Sequence, residues 1–196
     1  MTFTSVDHIV LACPDLERAE RVFTDRLGAA CRGGGSHDGI GTRNRTLPLG
    51  ESYLEFVTID DSAAAQQHPF GRLVLDAIDR KALFAGWVTA GEVRGDDRAR
   101  VQRAGVSVYL EGCLRAIDRP DLPIRLARPA EQAFPGDTPA PRALVQLEVC
   151  GPSDPEPGNG PTRIVHRRTA QSEIRSCTIL NHAGDRVTID QTWAVR

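Results

Sequence analysis

Lysine is almost missing from this chain. Lys81 is the only one among 196 residues, and arginine carries the rest of the positive charge. Genomic base composition explains such a bias as well as function does, so it carries no functional weight. The charge balance says more: a formal net charge of -2 lacks the basic excess of a dedicated nucleic-acid binder. The cysteines (Cys13, Cys31, Cys113, Cys150 and Cys177) are odd in number and scattered, with no C-x-x-C pair. Neither a zinc knuckle nor a disulfide framework is indicated. No apolar run approaches the roughly 18 residues of a spanning helix. Met1 to Ser5 shows no charged stretch followed by an apolar one, so no signal peptide is expected. The expectation is a cytoplasmic protein with no membrane or nucleic-acid partner.

Several catalytic signatures are also missing. There is no G-x-S-x-G elbow and no H-E-x-x-H helix, which removes two common hydrolase designs. The run Gly33-Gly34-Gly35 lacks a G-K-[S/T] ending and leads into a strand rather than a helix, so it is not a phosphate loop. What remains is an ordinary globular composition, 40% apolar and 26% charged. That fits one large domain or two small halves packed closely.

Against this background, two ionisable residues stand out. Val6-Asp7-His8-Ile9-Val10-Leu11 places a histidine inside an apolar strand, and Tyr53-Leu54-Glu55-Phe56-Val57 does the same with a carboxylate. Isolated ionisable groups are costly in a core, so each requires a partner, a metal or a wet cavity. Between these strands, Asp15 is placed to cap a helix whose apolar positions Leu16, Ala19, Val22, Phe23 and Leu27 share one face, with Gly28 as its stop. A glycine-rich strand over 31–36 then leads through a loop, His37 to Gly41, into a strand over 42–49. There Thr42, Asn44 and Thr46 alternate with Arg43, Arg45 and Leu47. Across 52–60, Tyr53, Glu55 and Val57 share one face and Leu54, Phe56 and Thr58 the other. The order is β-α-β-β-β.

The second half reads as a looser repeat. A polar, alanine-rich connector (60–67) precedes a helix from Pro69 to Arg80, followed by a strand over 83–89 that contains Phe84 and Trp87. The spacing then predicts a helix from Asp96 to Ala104 stopped by Gly105, and short strands over 106–110, 113–117, 123–127 and 144–149. A Pro/Gly-rich loop spans 151–161. Strands over 174–180 and 186–190 form a hairpin expected to complete the second half's sheet.

Taken together, Val6-Asp7-His8-Ile9-Val10, the helix from Pro14-Asp15-Leu16 to Leu27-Gly28, and Tyr53-Leu54-Glu55-Phe56 resemble the vicinal oxygen chelate superfamily. That group includes glyoxalase I, extradiol dioxygenases, fosfomycin-resistance enzymes and bleomycin-binding proteins. The loop from Gly34 to Asn44 resembles its glyoxalase-like domain branch. The resemblance implies an α+β fold of two βαβββ-like modules, whose curved mixed sheets enclose one cavity. Here the first module would span 1–60, a connector helix 61–82, and a degenerate second module with a C-terminal hairpin 83–196. It further implies a divalent metal (Fe, Mn, Ni, Co or Zn) held by His8 on the first strand and Glu55 on the last. The second module departs from the pattern, because Ala85 to Thr89 contains no histidine. Glu148 is then the candidate third ligand, and a metal-free cavity is the alternative.

Each residue also has a plainer reading. His8 could bond a backbone carbonyl in the core, and Glu55 could pair with Arg43 or Arg45. His37 is either an exposed loop residue or a general base at the mouth of a pocket, a role its ordinary pKa suits. Thr42, Arg43 and Asn44 either stabilise a turn or recognise a carboxylate or carbonyl, and Trp87 is either core or pocket wall. Three functions follow. The first is a metal-dependent lyase, isomerase or dioxygenase acting on a small oxygen-rich molecule, with His37 and Glu55 catalytic. The second is a metal-free protein that sequesters a small molecule, although an aromatic content of 5% weakens the analogy to aromatic-rich drug pockets. The third is a degenerate domain whose role is association. A monomer or homodimer with the cavity completed within one chain is expected.

Overall fold

The computed structural model describes residues 5–103, 106–129, 133–137, 140, 142–152 and 160–194. The first five elements follow the sequence closely: β1 (Val6–Ala12), α1 (Leu16–Leu27), β2 (Arg32–His37), β3 (Thr42–Pro48) and β4 (Tyr53–Ile59). The α1 helix is bounded as its residues dictate. Asp15 accepts from the Arg18 amide at 2.8 Å, and Gly28 closes it in the left-handed conformation at φ 61°. Next come α2 (Ser62–Gln67), α3 (Pro69–Asp79), β5 (Phe84–Ala90), β6 (Arg98–Arg103), β7 (Val106–Glu111), α4 (Cys113–Asp118) and β8 (Ile124–Ala127). The chain ends with β9 (Ala143–Gly151), β10 (Arg163–Arg168), β11 (Glu173–Leu180) and β12 (Arg186–Asp190). No helix among the described residues is long and apolar enough to cross a membrane.

The fold is α+β. Eight strands form one curved sheet in the order β2-β3-β4-β1-β5-β8-β7-β6, and β10-β9-β11-β12 form a second. In the large sheet β1 pairs parallel with β4, β5 pairs parallel with β8, and β1 and β5 meet antiparallel in the middle. Each half therefore repeats one strand arrangement. Its two edges approach each other, with the Asp38 amide at the end of β2 donating to the Gln102 carbonyl of β6 at 2.8 Å. This near-closure gives the sheet an inside.

Strand alternation divides the apolar residues between two cores. Ile9, Leu11, Leu54, Phe56 and Trp87 point towards α1 and the four-stranded sheet, where Phe23, Leu147 and Ile179 meet them. Val10, Val57, Val88 and Ile124 face the other way, onto Phe70, Leu73 and Val74 of α3 and Cys113 and Ala116 of α4.

The second half differs from its expected outline. The segment predicted as a helix over 96–104 contains the strand β6. Arg98-Ala99-Arg100-Val101-Gln102 alternates polar and apolar residues, and pairing with β7 (Val101 opposite Val108) satisfies that period of two. Its proposed stop at Gly105 lies outside the described residues. Conversely, the strand expected over 113–117 is the helix α4. Gly112, at φ 92°, turns the chain into it, and Cys113 and Ala116 bury one face at helical spacing. The connector at 60–67 contains α2, capped by Asp61 through the amides of Ala63 and Ala64. Strand β10 was not foreseen, and much of the 151–161 loop lies outside the described residues. The β11–β12 hairpin forms as expected but joins β9 in a separate sheet instead of completing the second half's sheet. Its register places Cys177, Ile179 and Ile189 against the α1 core, and that burial decides the pairing.

Phe23 ties these layers together. It is fully buried, meets Phe56 edge-on at 4.8 Å and lies 5.1 Å from the Trp193 ring. Phe23→Ala should therefore lower unfolding stability by about 3–5 kcal/mol, measured as a shifted urea midpoint with an unchanged slope.

Candidate active site

The inside of the curved sheet holds a cavity of about 130 Å³. Its polar side comes from the first half: His8 on β1, His37 at the end of β2, Asn44 and Thr46 on β3, and Tyr53 and Glu55 on β4. The opposite side is apolar, built from Phe70, Val101, Val108, Leu110 and Leu126, with Ala133, Phe134 and Pro135 near them. Register explains how distant residues meet. Val10 lies opposite Glu55, and His8 opposite Tyr53, in the parallel β1–β4 pair. Thr46 lies opposite Glu55 across β3–β4, and His37 lies opposite Thr42 across β2–β3.

Glu55 is the centre of the polar side. Its exposure is 7%, and the two imidazoles facing it, His8 and His37, are 4% and 5% exposed. His8 Nε2 stands 3.5 Å from Oε2, His37 Nε2 stands 3.8 Å from Oε1, and the Asn44 amide donates to Oε1 at 2.5 Å. Each imidazole is held from behind. Thr42 Oγ1 contacts His37 Nδ1 at 2.8 Å, and Asp7 Oδ1 contacts His8 Nδ1 at 2.7 Å, while the Tyr53 ring stacks on His8 at 4.5 Å. A buried carboxylate is tolerated only with such partners. Asp7 and His8 are consecutive, yet their side chains meet, because the β1–β5 register slips between Val6 and His8. Burial alone would raise the Asp7 carboxyl. The hydrogen bond and charge of His8, with the Arg128 guanidinium, outweigh it and hold Asp7 below the usual carboxylate range.

The expected residues are not all brought together. His8, His37, Asn44 and Glu55 line the cavity, and Thr42 contacts it through His37. His37, read as an exposed loop residue or a residue at the pocket mouth, is instead the buried last residue of β2. Arg43 and Arg45 point away, towards Glu17 at 2.9 Å and Glu20 at 3.7 Å on α1, so neither is the partner of Glu55. Trp87 belongs to the α1 core, where its indole N–H donates to the Asp121 carbonyl at 3.3 Å; it is not a cavity wall. Glu148 sits on β9 of the other sheet, paired with Arg167 and 3.9 Å from Arg175, and it does not line the cavity. The set His8, Glu55 and Glu148 is therefore not assembled, because the strand carrying Glu148 left the sheet it was assigned to.

Four contributors went unseen in the sequence: Asp7, Tyr53, Thr46 and Arg128. Asp7 alone left a signal, since two adjacent ionisable residues in an apolar strand can both be buried only by satisfying each other. The donor set gives the expected divalent metal little support. Among the described residues no three His, Cys, Asp or Glu side chains are placed to hold an ion. Among the described residues the second half lines the cavity with apolar side chains only, and the Glu55 oxygens already face Asn44 and the two imidazoles. Cysteine nucleophiles are equally unsupported, since burial pushes Cys13, Cys31, Cys113 and Cys177 up to about 12.

The model of the glyoxalase-like domain matches residues 6–187. The chain belongs to that family. As a glyoxalase-like domain it falls within the vicinal oxygen chelate superfamily, and its eight-stranded curved sheet is the corresponding fold. No curated protein sequence shows significant similarity to it. Among solved structures, a hypothetical protein from Staphylococcus aureus aligns at 13% identity over 91% of both chains, with a TM-score of 0.65. Streptomyces coelicolor methylmalonyl-CoA epimerase, solved with 2-nitronate-propionyl-CoA, aligns at 14% identity over 68% of this chain and 100% of its own, with a TM-score of 0.48. At such identities the likeness to the Staphylococcus aureus protein is one of fold and does not extend to a ligand.

The Asp7 carboxyl in this glyoxalase-like domain supplies a pH test. A depressed folded pKa contributes stability that is present above the unfolded value, near 3.8, and is lost as pH falls through the lower folded value. The stability difference between the wild type and Asp7→Asn should therefore be largest near neutrality and shrink below about pH 4. Urea unfolding at several pH values measures it, and a constant difference would refute the assignment.

Proposed function

We propose that this glyoxalase-like domain binds a small neutral molecule carrying a carbonyl-type oxygen on an apolar body, and moves a proton on it with Glu55 as the base. The single observation that supports this is the buried Glu55 carboxylate, flanked by two back-supported imidazoles and facing an aliphatic wall. No arginine or lysine lines the described cavity, which disfavours phosphates and other strong anions. An oxygen at the polar end would meet His8 and His37, and a short hydrocarbon end would meet Val108, Leu110 and Leu126.

In such a reaction Glu55 takes a proton from the carbon beside the carbonyl. The C–H electron pair moves into the new C=C bond, and an imidazole N–H of His37 protonates the carbonyl oxygen to give the enol. The enol O–H then gives its proton back to His37 as the carbon is re-protonated, which restores the carbonyl compound with its C–H exchanged against solvent. Delivery to the face opposite the one deprotonated gives an isomerisation. Removing the acid or the base from this arrangement typically costs about 10²–10⁴-fold in rate. A second reading is binding without chemistry. The Asn44 amide, donating to Oε1 at 2.5 Å, favours it, because it already occupies one of the two carboxylate oxygens that would receive the proton.

A thermal-shift screen with esters of short 2-oxo acids, 2-hydroxyketones and 1,3-diketones, run with chelator present, separates the readings. A ligand of the folded state raises the melting temperature. The hit is then followed by proton NMR in D₂O for exchange beside the carbonyl. Glu55→Gln should keep the thermal shift and lose about 10²-fold or more of the exchange rate. Exchange at the wild-type rate in Glu55→Gln would reject Glu55 as base, and binding without any exchange in the wild type would select the second reading. A thermal shift seen only with an added divalent ion would reject the metal-free form of both.

A further inference from the structure

Behind His8 runs a connected set of groups that the proton-transfer reading leaves unused. Arg128, just beyond β8, donates from Nε to Asp7 Oδ2 at 2.5 Å and from Nη1 to Asp137 Oδ1 at 3.0 Å. Its guanidinium also lies 4.3 Å from the centre of the Phe134 ring. Phe134 and Pro135 line the cavity, and Asp137 closes their turn by accepting from the Phe134 amide at 2.7 Å. One side chain thus holds both the acceptor behind His8 and the strap beside the cavity.

We propose that Arg128 is a positioning residue that orients the His8 imidazole through Asp7 and, with its other end, holds the Phe134–Asp137 strap against the cavity. Asp7 has two oxygens and two neighbours: Arg128 takes Oδ2, which leaves Oδ1 for His8. An ionised carboxylate only accepts, so the His8 ring nitrogen facing it, Nδ1, carries a proton, and Nε2, 3.5 Å from Glu55 Oε2, is the end turned to the cavity. The result is one imidazole orientation, with Nδ1 committed to Asp7 and Nε2 presented to the ligand space beside Glu55. Arginine suits this task because its rigid fork can serve two acceptors at once, which a lysine ammonium on a flexible stem does less well. The strap and the imidazole then share an anchor, and a ligand that displaces Phe134 would loosen the group that orients His8.

The inference concerns the cavity to which a proton-transfer function is assigned above, but its test uses no ligand, so the two can fail separately. Nitrogen-15 chemical shifts report which ring nitrogens of His8 and His37 carry a proton. Amide hydrogen exchange at Phe134 and Asp137 reports the strap. In Arg128→Gln, His8 should change from the Nδ1–H form to a mixture while His37 is unchanged, and the two strap amides should exchange about tenfold faster or more. A wild-type His8 tautomer in that variant, or unchanged strap exchange, would overturn the assignment. Should Arg128→Gln fail to fold, Arg128→Lys carries the test: the charge beside Asp7 remains, so His8 should keep its tautomer while the strap still exchanges faster. A strap as protected as the wild type in Arg128→Lys would overturn the two-ended role.

Discussion

A carboxylate inside a curved β-sheet is the constraint around which this structure is arranged. Glu55 is placed on the inner face by the alternation of β4, and it would be prohibitive there without partners. Three strands answer it: β1 with His8, β3 with Asn44, and the end of β2 with His37. Those partners require partners of their own, so Asp7, Thr42 and finally Arg128 are drawn in. The network runs from Glu55 in the cavity to Asp137 at the surface. Such networks are effective when every member is satisfied and costly when one is missing.

The architecture allows this because the sheet separates two duties. Its face towards α1 and the four-stranded sheet is dry and holds Phe23, Phe56 and Trp87. Its inner face carries the polar cluster on one half and aliphatic side chains on the other, with α3 and α4 filling what remains. The two halves share a strand arrangement but not a chemistry. In the first half the inner positions of β1, β3 and β4 are His8, Asn44 and Glu55; in the second half β6, β7 and β8 supply Val101, Val108 and Leu126. An amphipathic cavity results, with one end suited to oxygen and the other to hydrocarbon.

The same division explains which features were legible in the residues. The α1 helix announced itself through Asp15, a clean apolar face and Gly28, all of them local signals. The alternation in β3 and β4 placed Thr42, Asn44 and Glu55 on one side, and pairing preserved it. The segments 96–104 and 113–117 were misassigned because short amphipathic stretches suit either period, and only pairing of β6 with β7 or packing of α4 on α3 chooses between them. Glu148 was misplaced for a related reason. An apolar-flanked glutamate reads the same in any strand, and nothing near it in the chain says which sheet the strand joins.

The sequence by itself determined the α+β class, the first βαβββ unit, and the burial of His8 and Glu55, because these follow from periodicity, capping and the cost of burying charge. Only the tertiary structure decided who faces Glu55. Strand order and register brought His37 and Asn44 to it, turned Arg43 and Arg45 outwards to α1, sent Glu148 to another sheet, and brought Arg128 across the chain to Asp7. The physical reason is range. Periodicity, capping and turn chemistry act within a few residues, whereas a site is a set of side chains made neighbours by pairing between distant strands.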